Sequence, residues 1–149
     1  MPPFTLKIVR SAYEALRQHA LAEYPHECCG ILLGRMDMSG RLITSAVACT
    51  NASAESRHNR YEIDPREVVK VQREGRGRGE EILGFYHSHP GHPARWSATD
   101  LEQAYWIGCS YVITSVMAGP VVGETASYLL DGRSEEEKLF RVEGVEVVE

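Results

Sequence analysis

Two histidines and an aspartate are the residues of this chain best suited to chemistry. His87-Ser88-His89-Pro90 is followed, six residues on, by Ser97-Ala98-Thr99-Asp100. The apolar run before it, Ile82-Leu83-Gly84-Phe85-Tyr86, is short and rich in β-formers, which predicts a strand. Side chains two apart on a strand point to the same face. His87 and His89 therefore aim at one point, where the strand runs out at Pro90. Ser97 and Asp100 open a predicted helix, on which residues three apart share a face. Two imidazoles and a carboxylate converging from a strand end and a helix start make three ligands for a divalent metal. Zinc suits them best, because catalytic zinc sites take three protein ligands from His, Asp, Glu or Cys and keep a fourth position open. Taken alone, Ser97-x-x-Asp100 is an ordinary helix N-cap with an acid three residues on. The combination at this spacing is what points to a metal.

Other metal motifs fit less well. His87-x-His89-x-x-His92 matches three positions of the metallo-β-lactamase pattern, but Gly91 stands where that pattern has Asp, and no histidine follows His92. His92 is then expected in a loop near the substrate cleft. A zinc deaminase needs His-x-Glu and Pro-Cys-x-x-Cys, and the chain has neither. What the string does resemble is the JAMM (MPN+) motif of a zinc metalloprotease family. From His87 through Pro93-Ala94-Arg95 it is similar to the small bacterial branch that trims ubiquitin-like sulfur-carrier proteins. The resemblance runs from about Leu16 to Leu130. The family motif also has a glutamate far upstream, at the edge of an apolar strand, and Glu27 precedes Cys28-Cys29-Gly30-Ile31-Leu32-Leu33-Gly34.

The resemblance implies an α/β fold: a mixed, mostly antiparallel β-sheet flanked by helices, of the cytidine-deaminase-like kind. It implies one Zn2+ per chain on His87, His89 and Asp100, with Glu27 as general base and Ser97 as a hydrogen-bond donor to the oxyanion. Chemically such a site needs a carboxylate off the metal, because a proton must leave the attacking water and reach the leaving amine. The implied partner is the C-terminal tail of a ubiquitin-like sulfur-carrier protein ending in Gly-Gly, docked at a sheet edge by β-augmentation. The implied product is an amino acid, cysteine among the candidates, or a longer extension. A non-catalytic scaffold of the same family is the alternative; such members lack ligands, whereas this chain has all of them.

Composition bounds the rest. A chain of 149 residues suits one domain, residues 1–149, with 43% hydrophobic and 25% charged residues. A formal net charge of −5 does not favour nucleic acid as a partner. The first residues lack the apolar segment of a signal peptide, and no apolar run is long enough to span a bilayer. The cytoplasm is the expected compartment. There Cys28, Cys29, Cys49 and Cys109 are expected as reduced, buried thiols.

The elements that must position the site follow from pattern. A first strand is expected over Thr5–Val9. A helix over Ala12–Glu23 follows, opened by a capping box at Ser11-Ala12-Tyr13-Glu14 and stopped by Pro25. A hairpin of strands over Cys28–Leu33 and Arg41–Thr50 turns at Asp37–Gly40. Asn51–Arg60 reads as a loop or short helical turn, and Tyr61–Ile63 as a short strand. Asp64-Pro65-Arg66-Glu67 starts a helix with Val68, Val69 and Val71 on its buried side. Glu74–Glu80 reads as a flexible connector. Further expectations are a helix over Asp100–Gly108, a central strand over Ser110–Met117, a returning strand over Val121–Leu130 and an edge strand over Lys138–Glu149.

Overall fold

A computed structural model describes residues 4–53 and 60–149. In chain order the elements are β1 (Thr5–Val9), α1 (Arg10–Glu23), β2 (Cys29–Asp37), β3 (Gly40–Cys49), α2 (Pro65–Arg76), β4 (Glu81–Pro90), α3 (Ala98–Glu102), β5 (Ser110–Met117), β6 (Val121–Asp131) and β7 (Leu139–Val148). The strands close into a barrel in the order β1-β3-β2-β4-β5-β6-β7. β4–β5, β1–β3 and β1–β7 are parallel, and the other pairings are antiparallel. This is the mixed, mostly antiparallel α/β class expected from sequence. Among the described residues no helix is long and apolar enough to cross a membrane.

Alternation along the strands sends side chains to two apolar layers. Leu6, Ile8, Leu16, Leu32, Ile43, Tyr86 and Val112 pack together around α1. That helix touches β1, β3, β4, β5, β6 and β7, which only a helix on the inner side of the ring can do. Ile31, Leu33, Val71, Ile82, Phe85 and Tyr111 make the other layer, beneath α2. Each fully buried leucine or isoleucine contributes about 1.5–3 kcal/mol. β4 is buried on both faces from Ile82 to His89, which explains its near-continuous apolar run. Tyr86 belongs to the α1 layer and Phe85 to the α2 layer. By alternation Ser88 shares the face of Tyr86, and His87 and His89 share the face of Phe85.

Several expectations are corrected. Helix α1 begins at Arg10, capped by the extended backbone of Val9 with no side-chain cap bond. The Ser11 capping box is not used because β1 runs directly into the helix. Helix α2 starts as expected, with Asp64 accepting from the Arg66 amide and Pro65 in the first turn. It continues through Glu74 and Gly75 to Arg76, where a flexible connector was expected. A Cβ at Gly75 would lie 3.2 Å from Leu33, so this glycine lets the helix approach β2. Val69, expected on the buried side, is 52% exposed. Tyr61–Ile63 forms no strand. Helix α3 ends at Glu102 instead of Gly108, because the backbone beyond it finds tertiary partners. The Lys138 ammonium donates to the carbonyls of Glu102 and Ala104, and the Trp106 amide donates to the Tyr111 hydroxyl. Strand β7 is not an edge strand: β6 and β1 flank it. Closure gives every described strand two neighbours, so no whole strand is a free edge; the β1–β3 pairing covers only Leu42 and Ile43 of β3, and the β2–β4 pairing ends at His87, so a tail adding to the sheet would have to do so beyond these pairings. Of the loop expected over Asn51–Arg60, residues 54–59 lie outside the described residues.

Closure is fastened by a buried ion pair. The carboxylate of Glu143 on β7 accepts from Arg41 on β3 at 2.7 Å, from Ser127 on β6 at 2.7 Å, and from Ser110 on β5. Removing one member of a buried pair leaves the other charge uncompensated, at a cost of about 3–5 kcal/mol. Glu143→Ala is therefore expected to lower unfolding stability by about that amount in urea titration; a loss below about 1 kcal/mol would show that the pair does not hold the barrel.

Candidate metal centre

Strand β4 brings the histidines to the site, and β2 stops where they begin. His87 lies opposite Cys29 on β2 and Ile113 on β5; His89 lies opposite Ser115 on β5. Ser88, between them, is fully buried on the other face, and its Oγ accepts from the Cys28 amide at 2.8 Å. The Ser88 amide donates back to the Cys28 carbonyl at 3.3 Å. The residue after Glu27 is thus tied to the residue between the histidines. Asn51 holds Glu27 from the other side, its Nδ2 donating to the Glu27 carbonyl at 3.0 Å.

The loop from Gly91 to Trp96 is fixed from β5 and β6. The Gly91 amide donates to Val116 at 2.7 Å, Ser115 Oγ to the His92 carbonyl at 2.6 Å, and the Tyr128 hydroxyl to the Ala94 carbonyl at 2.7 Å. His92 is an exposed loop residue and lies outside the ligand group. The loop delivers Ser97 as the N-cap of α3. Ser97 Oγ accepts from the Asp100 amide at 3.1 Å, and the Ser97 amide donates to Asp100 Oδ2 at 2.9 Å. This capping box aims the Asp100 carboxylate at the histidines and leaves the Ser97 hydroxyl proton free to donate, so cap and ligand geometry coexist.

His87, His89 and Asp100 form a group able to hold a metal ion. His87 Nε2 is 3.3 Å from His89 Nε2 and 3.2 Å from Asp100 Oδ1, and His89 Nε2 is 3.0 Å from Asp100 Oδ2. Ligands about 2.0–2.1 Å from a tetrahedral zinc are about 3.3 Å apart, so these separations fit. The tautomer fits too. His89 Nδ1 lies 3.0 Å from the Pro93 carbonyl, which can only accept, so in neutral His89 the proton is on Nδ1 and Nε2 carries the lone pair. A lone pair facing a carboxylate at such a distance calls for a proton or a metal cation between them.

Electrostatics agree. Burial works to raise the Asp100 carboxyl, but the facing imidazoles of His87 and His89 overcome it and hold it well below the usual carboxylate range. Burial lowers His87, with Asp100 only partly opposing it, which favours the neutral form that binds metals. Burial would also lower His89, yet Asp100 and the Pro93 carbonyl reverse the sign and raise it. Glu27 is 4% exposed, its Oε1 has no partner among the described residues, and burial pushes its carboxyl up to about 8. His89 lowers it and Asp100 raises it, which puts the Glu27 carboxyl within electrostatic reach of the ligand group.

A family model described as prokaryotic homologs of the JAB domain matches residues 9–130. The chain belongs to this family. The JAMM resemblance read from the motif is therefore correct. The chain is 41% identical over 99 residues to a desampylase of Haloferax volcanii, covering 66% of this chain and 69% of the relative. It is 32% identical over 143 residues to a CysO-cysteine peptidase of Mycobacterium tuberculosis, covering 94% and 93%. A solution structure of a protein from Desulfitobacterium hafniense superimposes with a TM-score of 0.74 at 27% identity, covering 96% and 94%.

Sequence reasoning missed Ser88, Asn51, Tyr128 and Lys138, which position this JAB-family site through bonds to distant backbone. It also missed a cavity of about 510 Å³ beside the site, lined by Tyr61, Ile63, Val68, Phe85, Tyr105 and Trp106. All four cysteines are free and buried, as expected.

The Glu27 carboxyl has a sign to test. Its native-state value lies above the ordinary 4.5, so between about 4.5 and 8 the folded protein binds more protons than the unfolded chain. Its contribution to stability is complete below that window and is lost as pH rises through it. In metal-free protein Glu27→Gln is expected to flatten the fall in stability from pH 5 to pH 8, read by urea unfolding with a chelator present. Identical pH profiles for the two proteins would show that this carboxyl is not held protonated by burial.

Proposed function

We propose that this chain is a zinc-dependent JAMM peptidase. Its substrate is the peptide or isopeptide bond after the C-terminal Gly-Gly of a ubiquitin-like sulfur-carrier protein. The observation that carries the reading is the convergence of His87 Nε2, His89 Nε2 and the Asp100 carboxylate beside a buried carboxyl, Glu27, whose Oε1 has no partner among the described residues. Two relatives support the substrate class, since one is a CysO-cysteine peptidase and another is a desampylase. The barrel is taken as a single catalytic domain over residues 1–149. A reducing, cytoplasmic setting suits its four free cysteines.

His87, His89 and Asp100 hold the metal in this reading. A zinc ion supplies Lewis acidity there, acidifying water and polarising the scissile carbonyl. Glu27 accepts the proton that the attacking water loses and returns it to the leaving amine. Burial raises the affinity of this carboxyl for protons, and a cation held by the neighbouring ligands would oppose that and favour the ionised carboxylate that can accept the water's proton. The Ser97 hydroxyl donates to the oxyanion as the carbonyl becomes tetrahedral, with its own orientation fixed by the Asp100 amide. The loop bonds from Ser115 and Tyr128 keep Ser97 and His89 at fixed separation, so the donor is in place before the substrate arrives. Glycines at the cleaved end allow the tail backbone to come close without side-chain collision.

The test uses a peptide ending in Gly-Gly-Cys and a ubiquitin-like protein with the same extension. Zinc-loaded wild type is expected to bind about one zinc per chain and to release cysteine from both. Glu27→Gln is expected to keep the zinc and lose roughly 10²–10⁴-fold in rate; an unchanged rate removes Glu27 from the chemistry. Asp100→Asn is expected to weaken zinc binding, and wild-type affinity in that variant would remove Asp100 from the ligands. Zinc binding without cleavage of either substrate would favour the non-catalytic scaffold.

A further inference from the structure

The two histidines of the site are restrained in different ways. His89 is held through its second nitrogen by the Pro93 carbonyl. His87 is 2% exposed, and its Nδ1 has no hydrogen-bond partner among the described residues. Metal-binding histidines are ordinarily fixed through that second nitrogen, which sets ring orientation and tautomer. Among the described residues His87 lacks this restraint. What it has is Tyr61, whose ring lies 4.4 Å away between centroids with 21° between the planes. That is a stacked contact, and it covers a face of the imidazole.

Tyr61 belongs to no regular element, so something else must hold it. Asn51, 8% exposed, does so from both sides. Its Nδ2 donates to the Arg60 carbonyl at 2.9 Å, and its Oδ1 accepts from the Glu62 amide at 3.2 Å. The Ala52 amide adds a bond to the Glu62 carbonyl at 2.8 Å. The same Asn51 nitrogen donates to the Glu27 carbonyl at 3.0 Å. A single buried amide therefore fixes the aromatic plate against His87 and the backbone of Glu27.

We propose that Tyr61 is a positioning residue for His87, orienting by ring stacking an imidazole whose Nδ1 has no hydrogen-bond partner among the described residues, with Asn51 setting the position of the ring. Tyr61 touches no reacting atom; it acts through the orientation of His87. Stacking needs the ring and not the hydroxyl, so phenylalanine preserves the effect and leucine removes it. Asn51→Asp keeps the acceptor for the Glu62 amide but loses the donor to both carbonyls, which frees the segment without changing Tyr61.

The proposal rests on the reading of His87, His89 and Asp100 as a zinc site, and its test reads the metal directly. Zinc affinity is measured by competition with a chromogenic chelator, alongside the visible spectrum of the cobalt-substituted protein and thermal melts of the metal-free forms. Tyr61→Leu is expected to weaken zinc binding about 10- to 100-fold, the usual cost of losing a partner that orients a ligand, and to shift the cobalt spectrum. Tyr61→Phe is expected to keep wild-type affinity and spectrum. Wild-type affinity in Tyr61→Leu overturns the proposal, and so does an equal loss in the leucine and phenylalanine variants, which would assign the effect to the hydroxyl. Should Tyr61→Leu not fold, Asn51→Asp against Tyr61→Phe makes the same comparison, and equal affinity in those two overturns it. A wild type that binds no zinc overturns the zinc reading itself, and this inference with it.

Discussion

The pairing of β2 with β4 decides whether the site exists, because the two strands meet for the last time at Cys29 and His87. A one-residue slip in that register would turn both histidines to the opposite face, toward α1, and bring Ser88 to the site. Three features hold the register. Leucine and isoleucine fill both faces of β2. Tyr86 lies over Gly30, where a Cβ would come within 2.1 Å of its ring. Ser88 and Cys28 exchange two hydrogen bonds at the end of the ladder. The same pairing that stabilises the barrel also sets how far Glu27 stands from the imidazoles.

Around this frame the site gathers groups that would not choose each other's company. Two imidazole nitrogens and a carboxylate face one another at ligand-to-ligand distances, and a second carboxyl is buried alongside. The metal-free fold tolerates them by moving protons, onto Glu27 and toward His89. A divalent cation removes the need for both. The polar cluster is therefore a cost to the empty fold and an affinity for the filled one, the usual bargain at a site whose ligands are fixed in advance.

The candidate ligands are readable because they are close in sequence and their geometry follows from local periodicity. His87 and His89 are set by the two-residue repeat of a strand, and Ser97 and Asp100 by the first turn of a helix. Glu27 needed the family resemblance, since an acid before a strand says little alone. Ser88, Asn51, Tyr61, Tyr128 and Lys138 were not legible as site residues, because each acts through a partner far along the chain. The errors at element ends have the same origin. Gly75 sits in a glycine-rich run that reads as a linker, and only its packing against Leu33, distant in sequence, makes it helical. The short α3 depends on Lys138, 36 residues after Glu102. The edge expected at β7 disappeared because β1, from the other end of the chain, pairs with it.

That last pairing also orders events in time. Thr5 lies beside Gly144 and Val9 beside Val148, so the barrel closes only when two strands far apart in sequence meet. Contacts between residues so distant in sequence are entropically expensive and form late in folding. The hairpin of β2 and β3 and the β5–β6 pair involve near neighbours and can assemble first. β4, which carries both histidines, joins these two units. β7 follows every other described strand in the sequence, so on the ribosome the ring stays open at one seam until β7 emerges, after β4 with its two candidate ligand histidines and α3 with Asp100.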